Sequence, residues 1–513
     1  MRTTADTQPE VEVAIVGAGF SGIGTAIELD RAGFRDWALI EEGSGVGGAW
    51  YWNTYPGIGV DIPSFSYQFS FEQRSDWSRV YAKGEELRGY AEDCVDRYGL
   101  RSRIRFDSKV VSASYDEEGH FWRLDIAEGP ALSARHLVGA TGILSQPKPL
   151  DIPGLDDFAG QVMHTARWDH DVDLAGRRVA IVGTGASAVQ VIPAIAPRVE
   201  RLTVLQRTPI WCLPKPDGPI RPGMRRILER VPGAGRVARA LSQAYVELIF
   251  PIAAHYPRPL RLASIGERQA LKGLRSQVRD PVVREKLTPS YGLGCKRVSF
   301  SNEYLPTFNR DNVYLETSPI ERFTAGSVRT AEAEHEIDVL ILATGFKVFE
   351  QGNFPPYPVA GRGGVDLGEW WGENRFQAYE GVSVPGFPNL FMILGPYGYN
   401  GSSYFTLIEH QARHIVRCLT RARETGTTEI EVTAEANRRY WESMLGRRDR
   451  QVFFSGTCGT ANSYYFDAHG DAPFRPASTL EAAWRSGHFL LADYRFTRPR
   501  RQPRVPLADE AGG

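Results

Sequence analysis

The sequence predicts an α/β fold: two Rossmann-like dinucleotide-binding domains with a helical subdomain inserted between their parts. Three observations carry this. Two glycine-rich turns, GAGFSG at 17–22 and GTGASA at 183–188, each follow an apolar run (VEVAIV and RRVAIV) and open a helical pattern, the strand–turn–helix context that a dinucleotide site requires. Two further apolar strands end in the same small-residue turn, HLVGATG at 136–142 and IDVLILATGF at 337–346. From about 215 to 289 this alternation stops, and proline-punctuated helical segments such as RPGMRRILERV and RVARALSQAYVELIF replace it. A single glycine turn after a strand is common, but two in full context make coincidence a poor explanation.

Taken in order, residues 1–145 hold the first nucleotide unit. Residues 146–214 begin with a linker carrying Pro147, Pro149 and Pro153, which favour extended chain, and continue into the second unit with strands RRVAIV and RLTVLQR. Residues 215–289 form the helical insertion. Residues 290–345 complete the second unit, and 346–513 return to the first and end in a tail, with a helix from about Ser403 to Gly426. The apolar faces of the inserted helices can be read as a membrane-surface patch, but such faces are usually buried against their own domain, and that is the expectation here.

At 513 residues the chain exceeds one core and suggests about three compact units at roughly 100–200 residues each. A net charge of −1 gives no field for nucleic acid, so no nucleic-acid partner is expected. The basic run RFTRPRRQPR near 495–504 reads as a solvated terminal arm. Cys94, Cys212, Cys295, Cys418 and Cys458 are scattered without a CxxC pair or a histidine cluster, so neither a disulfide framework nor a zinc site is expected. The N-terminus lacks a signal-peptide core, and no uninterrupted run nears the ~18 apolar residues of a bilayer span. No membrane partner and a reducing cytoplasm are therefore expected; the oligomeric state is not legible.

In the first turn Gly17, Gly19 and Gly22 allow a tight bend and close approach to a pyrophosphate facing the helix N-terminus, with Ser21 within reach of a phosphate. Glu41 ends the strand WALIEE about twenty residues on, the usual place for a carboxylate on the ribose hydroxyls. Glu42 competes, and a solvated strand-end acid is the bland alternative. In the second turn Gly183, Thr184, Gly185, Ala186, Ser187 and Ala188 take the same roles. There TVLQRT ends its strand with Arg207 and Thr208 and no acid. An arginine accommodates a 2′-phosphate where a carboxylate would pair a 2′-hydroxyl, so the second cofactor is NADPH rather than NADH.

Between the two turns lies FAGQVMHTARWD, Phe158 to Asp169, and GGAWYWNTYPGIGVD runs from Gly47 to Asp61. These segments resemble, at every fixed position, two motifs of the Baeyer–Villiger monooxygenases, FAD- and NADPH-dependent enzymes that insert oxygen beside a ketone carbonyl. The similarity runs from about Val11 to about Trp484. The resemblance implies that FAD occupies the first unit, with Ala49, Trp50, Tyr51, Trp52, Asp61 and Tyr67 lining the flavin site and Val110 presenting backbone to the adenine. It assigns Lys296 to the 2′-phosphate alongside Arg207. It also places the active-site arginine on Arg297, in GLGCKRVSF, where a charge that cannot give up its proton would stabilise a C4a-peroxyflavin and the Criegee adduct with the ketone. Asp61 would pair with Arg297 and orient it, since a buried pair of this kind rarely exists for stability alone. The implied product is an ester or lactone, formed from a small-molecule ketone and O2.

His164 is read as orienting a linker or nearby cofactor rather than as a general acid or base, and Trp168 as packing. The YWNTY and SYYF segments and Tyr404 are aromatic neighbours of flavin or substrate, against the commoner role of filling a core. Two other functions share the scaffold: an N- or S-oxygenating flavin monooxygenase, and a catalytically silent FAD/NADP-binding redox sensor. A disulfide reductase is disfavoured by the missing CxxC.

Overall fold

A computed structural model describes residues 8–255, 262–350, 352–454, 458–459, 461 and 463–498. The first sheet runs in the order Val359–Ala360, Val110–Asp116, Phe121–Ile126, Leu132–Gly139, Val11–Val16, Trp37–Ile40, Ile104–Arg105, with Leu390–Met392 also paired to Leu132–Gly139. The strands around Val11–Val16 are parallel, and their continuous apolar runs are buried on both faces, as parallel sheets require. Strands 359–360 and 390–392 come from the far end of the chain and rejoin this sheet.

The second sheet is wholly parallel, in the order Val313–Glu316, Arg201–Leu205, Arg178–Val182, Val339–Leu342, Gln161–His164. Each glycine turn thus leaves the carboxyl end of a central strand and enters a helix, Phe20–Arg31 in one unit and Ala186–Ile195 in the other. The helix Tyr404–Thr425 packs along Phe20–Arg31. It begins after Ser403 and is closed by Gly426 in the left-handed conformation, the usual C-terminal stop.

The insertion comprises Pro222–Arg230, Ala234–Glu247 continuing through a π-helical stretch to His255, Leu262–Gln277 and Pro281–Lys286. Here the expectation of buried apolar faces holds only in part: Val246, Ala270 and Leu274 are buried in the cores. Met224, Ile227, Val231, Val237, Leu241 and Leu248 are nevertheless exposed; on Ala234–Glu247 the side that meets the protein carries the polar residues Arg239, Ser242 and Gln243 beside Val246. Among the described residues one helix, Ala234–His255, is long and apolar enough by length and composition to cross a bilayer.

Two smaller corrections concern the basic run and the cysteines. The start of the basic run is a strand, Tyr494–Thr497, paired antiparallel with Glu429–Val432, and Arg498 donates to the Thr425 carbonyl; the run from 499 on lies outside the described residues. Cys295 and Cys458 form a disulfide with Cα atoms 5.1 Å apart. A separation of 163 residues carries no pairing signal, so only the tertiary approach of the two segments could reveal it.

Candidate active site

In the first unit, parallel pairing sets Val16 beside Ile40, so the turn after one strand sits next to Glu41 after the other. Gly17 has φ +108°, and a Cβ there would lie 2.7 Å from the Ala140 carbonyl oxygen. Only glycine fits. Gly48 and Gly19 touch backbone to backbone, since a Cβ on Gly48 would come within 2.8 Å of Gly19 Cα. No side chain caps the helix at Gly19 or the corresponding helix at Gly185, which leaves their first-turn amides for an anion. Glu41 is buried; its carboxylate accepts from the Ala18 amide at 2.6 Å and the Gly43 amide at 2.9 Å. Burial nevertheless raises its pKa, against those two bonds. Glu42 is instead exposed and pairs with Lys109, which separates the two competing acids.

The second unit repeats the register: Val182 lies beside Leu205. The residue equivalent to Glu41 is therefore Gln206, which is buried and donates to the Lys286 carbonyl at 2.7 Å. Arg207 and Thr208 follow it, and the Thr184 hydroxyl donates to the Thr208 carbonyl at 2.8 Å. Lys296 comes close enough to Arg207 that burial and this like charge together lower its pKa to about 8. Two cations gathered beside a helix N-terminus fit a phosphate.

One cavity of about 1110 Å³ is lined by both turns. Of the residues singled out in the sequence, it brings together Gly17, Gly19, Ser21, Glu41, Ala49, Trp50, Trp52, Asp61, Tyr67 and Val110 with Gly183, Thr184, Gly185, Ala186, Ser187, Arg207, Thr208, Lys296 and Arg297. Gly22, Tyr51 and Ala188 do not line it. A Cβ on Gly22 would fall 1.9 Å from the Gly17 carbonyl oxygen, so that glycine serves the helix–turn contact. Ala188 is buried in the core of the second unit. Tyr51 turns away to the Ser44 hydroxyl at 2.8 Å and lies under Arg88.

At the junction of the two units Arg297 and Asp61, 236 residues apart in sequence, form a forked pair. Arg297 Nε donates to Asp61 Oδ2 at 2.8 Å and Nη2 to Oδ1 at 2.8 Å. Each side chain keeps 22% of its surface accessible. Burial pulls the guanidinium pKa down, but Asp61 and the nearby tyrosines Tyr399, Tyr465 and Tyr464 hold it well above the usual arginine value. Arg297 is a permanent cation. It is placed by a short parallel pairing of Ser299–Phe300 with Cys212–Leu213 and by the Cys295 bridge two residues before it. Asp61 is placed by the Val60 amide on the Ala82 carbonyl at 3.0 Å and by Lys215 Nζ on the Val60 carbonyl at 2.8 Å.

The SYYF segment supplies Tyr464, Tyr465 and Phe466 to the cavity wall, and Tyr404 stacks on Tyr399 with ring centroids 4.7 Å apart. Tyr399 escaped the sequence reading, as did Gln190, whose amide accepts from the Gly59 amide at 3.1 Å and donates to its carbonyl at 3.0 Å. Gln190 thereby ties the 47–61 loop to the second unit's helix. The approach is tight: Gly57 has φ +85°, and a Cβ on it would lie 2.6 Å from the Gln190 carbonyl oxygen. No local sequence signal marks either residue.

His164 sits at the end of Gln161–His164 and bridges segments rather than facing the cavity. Its Nδ1 accepts from the Ala166 amide at 3.0 Å, so Nε2 carries the proton and donates to Thr344 Oγ1 at 3.1 Å. Thr344 in turn donates to the Lys148 carbonyl in the linker. Burial, then Arg167, lowers the His164 pKa to about 4. Trp168 packs on the second core.

Burial likewise lowers His255 and His410 to about 4 and His136 to about 3. The unfolded chain therefore binds more protons than the folded one between about pH 6.5 and 4, and these groups' stabilisation, full above that window, is lost as pH falls through it. At about 1.4 kcal/mol per unit and group, thermal melts should show Tm dropping by many degrees from pH 7 to pH 5. A flat Tm over that range would refute the buried neutral assignment.

Two dinucleotide sites opening on one cavity, with a fixed cation at their junction, define a two-cofactor flavin oxidoreductase scaffold. The family model for pyridine nucleotide-disulphide oxidoreductases matches residues 14–249. A Baeyer–Villiger monooxygenase of Streptomyces coelicolor is 37% identical over 497 residues, covering 95% of this chain and 93% of that protein. A phenazine N-monooxygenase of Lysobacter antibioticus is 34% identical over 83% of this chain and 85% of its own. Among solved structures, OTEMO in complex with FAD and NADP superposes with TM-score 0.83 at 29% identity, covering 96% of this chain and 100% of that one. The chain belongs to the Baeyer–Villiger monooxygenase family. It is an FAD-dependent monooxygenase that uses NADPH.

Proposed function

We propose that the substrate is a small-molecule ketone, that O2 supplies the inserted atom, and that the product is an ester or lactone. The observation that carries this reading is the forked Arg297–Asp61 pair at the meeting point of the two cofactor sites. We also take residues 1–145 with 346–513 as the FAD unit and 146–214 with 290–345 as the NADPH unit, on the strand pairing of the two sheets. Bound and reduced, the flavin supplies the activation of dioxygen that no side chain can provide. The chain's part is binding, orientation and charge. Gly17, Gly19 and Ser21 seat the pyrophosphate, Glu41 takes ribose hydroxyls, and Trp50, Tyr67 and Tyr404 wall the ring. Arg297 presents a cation that cannot lose its proton to the negative charge that develops on oxygen, and Asp61 fixes the plane of the guanidinium.

The test is mass-spectrometric product analysis over cyclic, linear, aromatic and polycyclic ketones with NADPH and O2. Ester or lactone product supports the reading. Oxygenation confined to amines, aromatic nitrogens or sulfides would instead favour the second reading, heteroatom oxygenation, which the phenazine N-monooxygenase among the relatives keeps open. A cytoplasmic location follows the NADPH supply, although cytosolic thiol pools keep pairs such as Cys295–Cys458 reduced; thiol labelling in intact cells decides between them.

The same reading fixes cofactor choice. Arg207→Ala should raise KM for NADPH roughly tenfold or more and leave KM for NADH nearly unchanged, since only NADPH carries the phosphate. Because the Lys296 pKa is lowered to about 8, KM for NADPH should also climb as pH rises past that value and this cation discharges. Equal losses with both cofactors would remove the phosphate role.

A further inference from the structure

The first two inserted helices each turn an apolar stripe outward. On Ala234–Glu247 and its continuation, Val237, Leu241, Ala244 and Leu248 fall at helical spacing on one face, and that face is open to solvent. Leu241 is 69% exposed and Val237 59%. The opposite face holds the protein, mostly through polar groups: Arg239 donates to the Gln68 carbonyl at 2.9 Å, Ser242 bonds Ser66 at 2.9 Å, and Gln243 bonds Ser402 at 2.8 Å, with Val246 the one buried apolar side chain of Ala234–Glu247. Near its end Glu247 accepts from the Thr479 amide at 2.8 Å. The preceding helix, Pro222–Arg230, repeats the arrangement, with Met224, Ile227 and, just beyond it, Val231 exposed along one side. Soluble helices turn such stripes inward. Two consecutive helices that both turn them outward expose six large apolar side chains within residues 224–248, a concentration that marks a contact surface.

Charge identifies the occupant. Residues 221–246 contain six arginines, Arg221, Arg225, Arg226, Arg230, Arg236 and Arg239, against one carboxylate, Glu229. Arg239 is turned inward toward Glu409; Arg221, Arg226, Arg230 and Arg236 are exposed. A second copy docking on this face by two-fold symmetry would bring the same arginines against one another. An anionic bilayer surface satisfies both features, because apolar side chains enter the acyl boundary while arginines reach up to lipid phosphates. The helix could span a bilayer by length and composition, but its bonds to Gln68, Ser66 and Ser402 hold it flat against the protein. We propose that residues 222–248 dock the enzyme peripherally on anionic membranes, reversing the expectation that it has no membrane partner. The helix continuation also reaches the active-site arginine from its inner side, where the Phe250 ring centre lies 5.7 Å from the Arg297 guanidinium carbon.

The test is flotation of the FAD-loaded protein with phosphatidylcholine vesicles, with and without about one third phosphatidylglycerol. Binding is expected only to the anionic vesicles at low salt and should be lost near 0.5 M salt, about where screening is complete over a few ångströms. Leu241→Asp and the double variant Arg226→Ser, Arg230→Ser should each reduce the floated fraction at least tenfold. NADPH oxidation by both in vesicle-free buffer should match wild type, since these side chains lie on the surface far from any fold contact. Failure of wild type to float on anionic vesicles at low salt would overturn the proposal. So would a Leu241→Asp variant that floats like wild type, or light scattering that shows a wild-type dimer which Leu241→Asp converts to monomer.

Discussion

Replacing Arg297 with alanine is expected to lower oxygenated product per unit time by at least ~10²–10³-fold, the usual cost of removing a preorganised charge at the reacting oxygen, while FAD stays bound. The hydrogen bonds of its side chain go to Asp61 and not to the first glycine turn, so cofactor retention is a separate readout. Arg297→Lys should fare little better. A lysine keeps the charge but cannot form the fork to both Asp61 oxygens at 2.8 Å, and its ammonium, more strongly hydrated and able to deprotonate, would not stay fixed in that plane. Yellow protein that consumes NADPH yet releases hydrogen peroxide instead of ester is the outcome the geometry predicts. Near wild-type ester formation by the alanine variant would refute the assignment.

The second large effect is expected at Asp61. Asp61→Ala leaves Arg297 with no carboxylate and two unmet N–H donors in a partly closed site. With each side chain 22% accessible, water can reach the freed guanidinium, so the loss of fold stability should fall short of the 3–5 kcal/mol seen when a fully buried pair is broken. The larger consequence is a misplaced cation, and small displacements of a catalytic group commonly cost about 10²-fold. Asp61→Asn keeps one acceptor and the shape, and should fall between alanine and wild type in coupled product. Loss of FAD or of soluble protein in both variants would assign Asp61 a structural role, and unchanged coupling in both would separate it from Arg297 altogether.

Much of this was legible in the residues. The two glycine turns, the acid after one second strand and its absence after the other, and the two family motifs determine an α/β protein with two dinucleotide sites and the monooxygenase class, because each depends on local backbone geometry or on adjacent residues. The reading of His164 as a residue that orients the linker has its counterpart in the bond to Thr344 and, through it, to the linker at Lys148. Pairing across long stretches was beyond the sequence. The bond between Arg297 and Asp61 could be inferred only by resemblance, the Cys295–Cys458 bridge not at all, and Gln190 and Tyr399 carry no signal in their own neighbourhoods. The apolar stripes of residues 222–248 were plain to read, but which way they face was not, since periodicity gives the width of a helical face and not its direction. That direction was decided by Gln68, Ser66 and Ser402, residues from distant segments whose polar groups draw the opposite side of the helix inward.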